Sequence, residues 1–144
     1  MALTAPQIVL DTNILVAGLL SNRGPAFEIL TLVGTGKFSI NLSVPLVLEY
    51  EEVLTRSHLK LQVSREDVES VLDFHCEIGR RHEIYFLWRP FLPDDEDDLV
   101  VELAVKAGCQ FIVTYNTRDF AGCHMFGIEV VTPHEFLQRI GVRQ

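Results

Sequence analysis

The residues that could do chemistry together are carboxylates in three places far apart in the sequence. Asp11 directly follows the apolar run of residues 8–10, and Glu49 and Glu52 lie three residues apart on a predicted helix. Residues 94–98 are five consecutive acids. Carboxylates without a set of His and Cys residues beside them are typical ligands of Mg²⁺ or Mn²⁺. With such an ion they could orient a water molecule, lower its pKa and offset the charge of a phosphoryl group.

Each of these carboxylates also has an ordinary structural explanation. Asp11 could satisfy the backbone of a turn, and the two glutamates could form a solvated helix face. The acidic run could complement the dipole at the start of a helix, which accounts for two or three of its five acids. Asp94, Asp97 and Asp98, however, are spaced so that they could share one surface of the first helical turn.

The elements that must position these residues alternate between strands and helices. Short apolar runs predict strands, and apolar residues at helical spacing between capping residues, Pro and Gly predict helices. The predicted strands cover residues 8–10, 38–41, 83–88, 111–114 and 127–131. The predicted helices cover about residues 14–20, 25–33, 44–56, 65–76, 99–107 and 133–140, and residues 80–82 are expected at a solvated helix end. This alternation predicts a three-layer α/β domain, with a central, mainly parallel sheet of about five strands flanked by helices.

The predicted order of elements brings the distant polar residues to one edge of the sheet. Asp11 follows the first strand, Asn116 lies two residues after the fourth, and the acidic run precedes the helix that leads to the fourth. Parallel α/β sheets bind ligands outside the carboxyl ends of their strands. We therefore expect the carboxylates to converge on one site at this edge.

The composition is typical of a single domain and includes few positively charged residues. The 144 residues, 48% of them apolar, suffice for one sizeable core, so residues 1–144 are predicted to form a single domain. There are 12 Lys and Arg residues against 20 Asp and Glu residues, which gives a net charge of −8. Such a chain has no basic footprint that could hold a nucleic-acid backbone by counterion release alone, so a phosphate substrate would need a bound cation.

Cysteine usage and the N-terminus bear on the location of the protein. Three cysteines without a C-x-x-C pair indicate a reducing compartment, and the cytoplasm is expected. The first apolar run has no positively charged region before it, and no apolar stretch approaches the ~20 residues of a spanning helix. Neither a signal peptide nor a membrane span is expected.

Four segments in their order and spacing resemble the PIN-domain family, the nuclease fold of VapC-like toxins, and in particular bacterial members described as toxin components of toxin-antitoxin systems. The segments are I-V-L-D-T-N-I-L at residues 8–15, E-Y-E-E-V-L at 49–54, P-D-D-E-D-D-L at 93–99 and I-V-T-Y-N-T-R-D-F at 112–120. The resemblance covers nearly the whole chain. It implies a PIN-like fold and a metal-dependent endoribonuclease that cleaves RNA with Mg²⁺ or Mn²⁺.

The resemblance also implies roles for individual residues and partners. The core catalytic acids, which would also be metal ligands, are Asp11, Glu49 and Asp98, with Asp97 as a further ligand next to them. The residues that would shape the first loop and form hydrogen bonds within the site are Thr12, Asn13 and Thr114. The resemblance further implies a homodimer and a small cognate antitoxin protein that occludes the site formed by these acids.

The sequence departs from the family pattern at one point. Where many members carry a fourth Asp after the fourth strand, this chain has Tyr115 and Asn116. Asn116 is expected to offer a neutral oxygen, and Asp119 to approach the site as a metal ligand from the following turn. The alternative is a catalytically weak or silent PIN-like module that binds RNA or a protein partner. A phosphomonoesterase with Asp11 as the nucleophile is disfavoured, because Asn13 provides no general acid two residues later.

Overall fold

The computed structural model describes residues 5–56, 60–61, 63–84 and 95–144, with only the backbone of residues 95 and 96. The strands in these residues are β1 (Gln7–Leu10), β2 (Ser39–Ser43), β3 (Arg80–His82), β4 (Phe111–Val113) and β5 (Glu129–Val131). The α-helices are α1 (Thr12–Leu20), α2 (Pro25–Leu32), α3 (Val44–Leu54), α4 (Arg65–Ile78), α5 (Asp95–Ala107) and α6 (Pro133–Arg139). Two 3₁₀ helices, Thr117–Phe120 and Cys123–Phe126, lie between β4 and β5.

The strands form one parallel sheet in the order β3-β2-β1-β4-β5. Residues 8–10 of the central strand β1 are buried, as a strand covered by helices on both faces must be. In the register of β1 and β4, Leu10 lies opposite Val113, and the amide of Asp11 donates to the Val113 carbonyl oxygen at 3.0 Å. The residues that follow these two strands therefore meet at one edge, which confirms the predicted α/β architecture.

The helices around the site begin where the sequence supplies capping groups. The Asp11 side chain caps α1 by accepting a hydrogen bond from the amide of Thr12. Ser43 caps α3 through the amide of Leu46, with Pro45 in the first turn, where its missing N–H costs nothing. Because Asp11 directly follows β1 and Ser43 is the last residue of β2, α1 and α3 start at the carboxyl edge of the sheet.

The third strand differs from the sequence prediction. The sequence predicts a helix end at residues 80–82 and a strand at residues 83–88, but β3 is Arg80–His82 and Glu83 follows it. Residues 85–88 lie outside the described part of the chain. Ser43 of β2 pairs with His82, whose Nε2 donates to Asn41 Oδ1 at 2.8 Å. Charged side chains suit this strand because it lies at the edge of the sheet, half in solvent.

The three cysteines are free thiols. Burial raises the pKa of Cys109 to about 12 and that of Cys123 to about 11, so these thiols stay protonated near neutral pH. Within the described residues, no helix combines the length and the apolar character needed to span a membrane.

Candidate metal centre

A cleft of about 260 Å³, which we call the acidic cleft, opens at the carboxyl edge of the sheet. The residues that line it are Asp11, Thr12, Asn13, Val16, Glu49, Val53, Asp97, Asn116 and Asp119. Four of them carry carboxylates, and each carboxylate comes from a different element: the end of β1, α3, α5 and the first 3₁₀ helix. Groups more than a hundred residues apart in the chain are thereby brought to one place.

Asp11 is held in a fixed orientation by three hydrogen bonds. Its Oδ1 accepts from the amide of Thr12 at 2.8 Å, and its Oδ2 accepts from Thr114 Oγ1 at 2.7 Å and from Asn13 Nδ2 at 3.3 Å. The residue is only 8% exposed. Asp11 therefore serves the turn, as its ordinary structural explanation requires, and also faces the acidic cleft.

Asn13 and Thr114 tie the start of α1 to the segment after β4. Asn13 Nδ2 also donates to Thr114 Oγ1 at 3.2 Å, and Asn13 Oδ1 accepts from the amide of Tyr115 at 3.3 Å. The amide of Asn116 donates to Thr114 Oγ1 at 3.0 Å. These bonds link the first turn of α1 to the backbone that follows β4, on the side of the cleft where Asp11 lies.

Glu49 enters the cleft from α3, but its predicted neighbour does not. Thr12 Oγ1 donates to Glu49 Oε2, and Val53, one turn further along α3, lines the cleft beside it. Glu52 is instead paired with Arg56 at 3.0 Å in solvent. The face of α3 that meets the cleft thus follows the i,i+4 spacing from Glu49 to Val53, and not the i,i+3 spacing to Glu52.

Tyr50 connects α3 to the end of β1, a role that its place in the sequence does not indicate, because a tyrosine on an apolar helix stripe is normally core. Its side chain is 1% exposed, and its hydroxyl donates to the carbonyl oxygen of Leu10, the residue before Asp11. Burial, and then the negative charges of Asp11 and Glu49, raise the pKa of Tyr50 well above its ordinary value. The phenol therefore keeps its proton and its bond between α3 and the end of β1.

Tyr50→Phe is expected to lower the free energy of unfolding by about 1 kcal/mol, because the ring still fills its space but the buried carbonyl loses a donor. Urea unfolding in the presence of chelator measures this loss. The matched control is Thr55→Val, which removes a hydroxyl bond to the Glu51 carbonyl on the same helix in a more exposed place. A Tyr50→Phe protein as stable as the parent would contradict the role of this bond.

The structure separates Asp97 from Asp98. Asp97 is half-buried and lines the acidic cleft, whereas Asp98 is 1% exposed and is not among the lining residues. Successive residues of a helix point about 100° apart, so both side chains cannot face one cleft in the same way. Asp94 lies outside the described residues. Of the described acids near the start of α5, Asp97 is the one whose side chain lines the cleft.

Asn116 and Asp119 both reach the cleft from the segment after β4. Asn116 precedes the first 3₁₀ helix, in which the amide of Asp119 donates to the Asn116 carbonyl oxygen at 3.0 Å. This tight turn brings Asp119 back toward the residue three positions earlier. Asp119 therefore lies beside the amide that stands in place of the fourth acid.

The donor set of the cleft suits a small hard cation. Carboxylate and amide oxygens are the preferred ligands of Mg²⁺ and Mn²⁺. The cleft is lined by four carboxylates and by the side-chain amides of Asn13 and Asn116. In the described part of the chain, however, no three His, Cys, Asp or Glu side chains are grouped closely enough to hold an ion. The residues fit the ion by their chemistry, and binding would require the carboxylates to draw together.

Comparisons with known proteins agree with this architecture. The family model described as PIN domain matches residues 7–118. No curated protein matches the chain. Among solved structures, VapBC2 from Rickettsia felis bound to a DNA fragment from their promoter is similar, with a TM-score of 0.60, 16% identity, and coverage of 88% of this chain and 98% of that chain. FitAB bound to an IR36 DNA fragment gives a TM-score of 0.59 and 16% identity, and covers 88% of this chain and 94% of that one. Since the family model spans well over half of the 144 residues and the fold agrees with it, the chain belongs to the PIN-domain family.

Proposed function

We propose that this protein is an endoribonuclease that depends on Mg²⁺ or Mn²⁺ and hydrolyses phosphodiester bonds of single-stranded RNA. The observation that carries the proposal is the meeting of four carboxylates from four separate elements in one cleft at the carboxyl edge of the sheet. Like charges gathered in this way repel one another, so the arrangement is costly for the fold alone. A site that holds a divalent cation explains why the fold keeps it.

In this proposal the ligands are the four acids that line the cleft, with Asn116 as a neutral oxygen donor. Asp97 takes the place that the family resemblance gave to Asp98, which we propose supports the first turn of α5 from its buried position. A bound divalent cation supplies an activated water and offsets the charge of the phosphodiester.

Neighbouring polar side chains orient two of the acids. Thr12 donates a hydrogen bond to one oxygen of Glu49. Thr114 and Asn13 donate to one oxygen of Asp11. The carboxylate planes of Glu49 and Asp11 are thereby held in defined orientations. Without a cation, the four carboxylates repel the phosphate of the substrate. Cleavage is therefore expected to depend strictly on the metal.

The biological role that we propose is that of a VapC-like toxin in the cytoplasm. The support is membership of the PIN-domain family and the similarity in fold to VapBC2 and FitAB, two assemblies whose structures contain DNA. The corresponding proposal for this chain is a homodimer with a small cognate antitoxin that covers the acidic cleft. Co-expression with the product of a short neighbouring gene tests it: loss of RNA cleavage in the co-purified complex supports the antitoxin, and unchanged cleavage opposes it.

The second candidate is a catalytically weak or silent PIN-like module that binds RNA or a protein. It is favoured by Asn116, which lines the cleft where many family members place a fourth acid.

An RNA cleavage assay separates the two candidates. The parent is expected to cleave single-stranded RNA with Mn²⁺ or Mg²⁺ and not with chelator, and Asp11→Asn is expected to be inactive because a charged ligand becomes neutral. Glu51→Gln, an exposed residue of α3 outside the cleft, is the matched control and should cleave like the parent. A folded parent that leaves RNA intact with both ions would establish the silent module instead.

A further inference from the structure

Three cations line a second pocket, of about 240 Å³, where α3 ends and α4 begins. We call it the basic pocket. Its cationic residues are Arg56, Lys60 and Arg65, and its other lining residues include Leu54, Leu61, Val63 and Val68. In a chain with 12 Lys and Arg residues and a net charge of −8, three of the cations thus share one small pocket. The overall composition gave no sign of such a cluster.

The basic pocket is next to the acidic cleft. Val53 lines the acidic cleft, and the following residue, Leu54, lines the basic pocket, so the last turn of α3 separates the two. Within α3, Leu54 is five residues beyond Glu49, which corresponds to roughly 7.5 Å along the helix axis. A polymer that has one phosphate in the acidic cleft can therefore place a neighbouring phosphate at the basic pocket.

The charges in the basic pocket are only partly balanced. Arg56 is paired with Glu52 at 3.0 Å. Among the described residues, neither Lys60 nor Arg65 has an acidic partner within ion-pair distance. The nearby carboxylate of Asp67 is engaged in the capping box of α4, where it accepts from the amide of Ser64 at 3.2 Å. Two cations in a pocket with apolar walls are thus available to an anion.

We infer that the basic pocket binds backbone phosphates of single-stranded RNA on one side of the bond held in the acidic cleft. This inference rests on the proposed function and adds a binding subsite to it. The acidic cleft can attract RNA only at the phosphate next to its metal, and it repels the rest of the backbone. A cationic subsite just beyond the end of α3 supplies the attraction that a strongly acidic protein otherwise lacks.

The test is the double variant Lys60→Gln/Arg65→Gln, assayed on a short single-stranded RNA with Mn²⁺. Each phosphate contact to a single strand contributes a slope of ~0.7 to the dependence of log affinity on log salt. Loss of two contacts should therefore reduce the slope by about 1.4 and raise KM about 25-fold at roughly 0.1 M salt. The value of kcat and the Mn²⁺ affinity without RNA, measured by calorimetry, should stay as in the parent, because the acidic cleft is unchanged.

The matched control is Arg23→Gln/Lys37→Gln, which removes two exposed cations that line neither pocket. A KM for the Lys60→Gln/Arg65→Gln variant within twofold of this control would overturn the inference. If the parent does not cleave RNA, the proposed function fails, and fluorescence anisotropy of the same RNA in Mn²⁺ then decides the inference separately. Weaker RNA binding by the pocket variant than by the control supports the subsite, and equal binding refutes it.

Discussion

Asp97→Asn is expected to reduce RNA cleavage with Mn²⁺ by at least about 100-fold, whereas Asp98→Asn is expected to act mainly on stability. Substitution of residues that merely support metal ligands commonly costs 10- to 100-fold in activity or affinity, so loss of a charged ligand should cost more. Asp97 lines the acidic cleft, whereas Asp98 is 1% exposed and does not line it. Cleavage rates and calorimetric Mn²⁺ titrations of the two folded variants, taken well below their melting temperatures, measure the difference.

The reverse pattern of Mn²⁺ binding in the two variants would contradict this assignment. If Asp98→Asn abolished Mn²⁺ binding while Asp97→Asn bound the ion normally, the core acid of α5 would be Asp98, as the family resemblance implies, and Asp97 would not be a ligand. Thermal unfolding in chelator provides the control, because Asp98→Asn should melt below the parent and Asp97→Asn should not. Relief of like-charge repulsion should even favour the latter variant.

Asn116→Asp is expected to tighten Mn²⁺ binding by about tenfold or more and to raise cleavage at low Mn²⁺. Unit charges 4 Å apart interact by about 4 kcal/mol at an effective dielectric of ~20, and a third of that energy already corresponds to about tenfold in Kd. The backbone amide of Asn116, not its side chain, donates to Thr114, so the substitution leaves that bond intact. Calorimetric titration of the variant against the parent measures the change.

Asp119→Asn is the companion variant, since Asp119 lines the same cleft from the following turn. It should weaken Mn²⁺ binding if Asp119 replaces the fourth acid. Unchanged or weaker binding in Asn116→Asp, together with full activity in Asp119→Asn, would show that this corner of the cleft has no part in metal binding.

The convergence of the site could be predicted from the sequence because it depends on short-range patterns. Apolar runs that stop at Asp11 and Thr114 mark strand ends, and parallel strands bring their ends to one edge. The register that sets Leu10 opposite Val113 follows from the packing of the whole sheet, so the hydrogen bond from Thr114 to Asp11 could not be deduced.

The sequence was less informative about the start of α5, the edge strand β3 and the basic pocket. The predicted helix begins at residue 99, but α5 begins at Asp95. Because residues 97 and 98 precede the predicted helix, the apolar pattern could not show which of Asp97 and Asp98 faces the cleft. The apolar residues after Ile84 drew the predicted strand away from β3, whose charged residues are permitted by its edge position. The basic pocket joins residues from Leu54 to Val68 across a helix end and a connection, which composition cannot reveal.

The most direct test of the proposal that the acidic cleft holds a divalent cation is the position of Mn²⁺ in crystals of the parent protein, located by anomalous diffraction. We expect a Mn²⁺ peak in the acidic cleft, with oxygens of at least three of the acids Asp11, Glu49, Asp97 and Asp119 at about 2.1 Å. A map from Mn²⁺-soaked crystals with no peak in that cleft, or with the ion bound only by other residues, would contradict it.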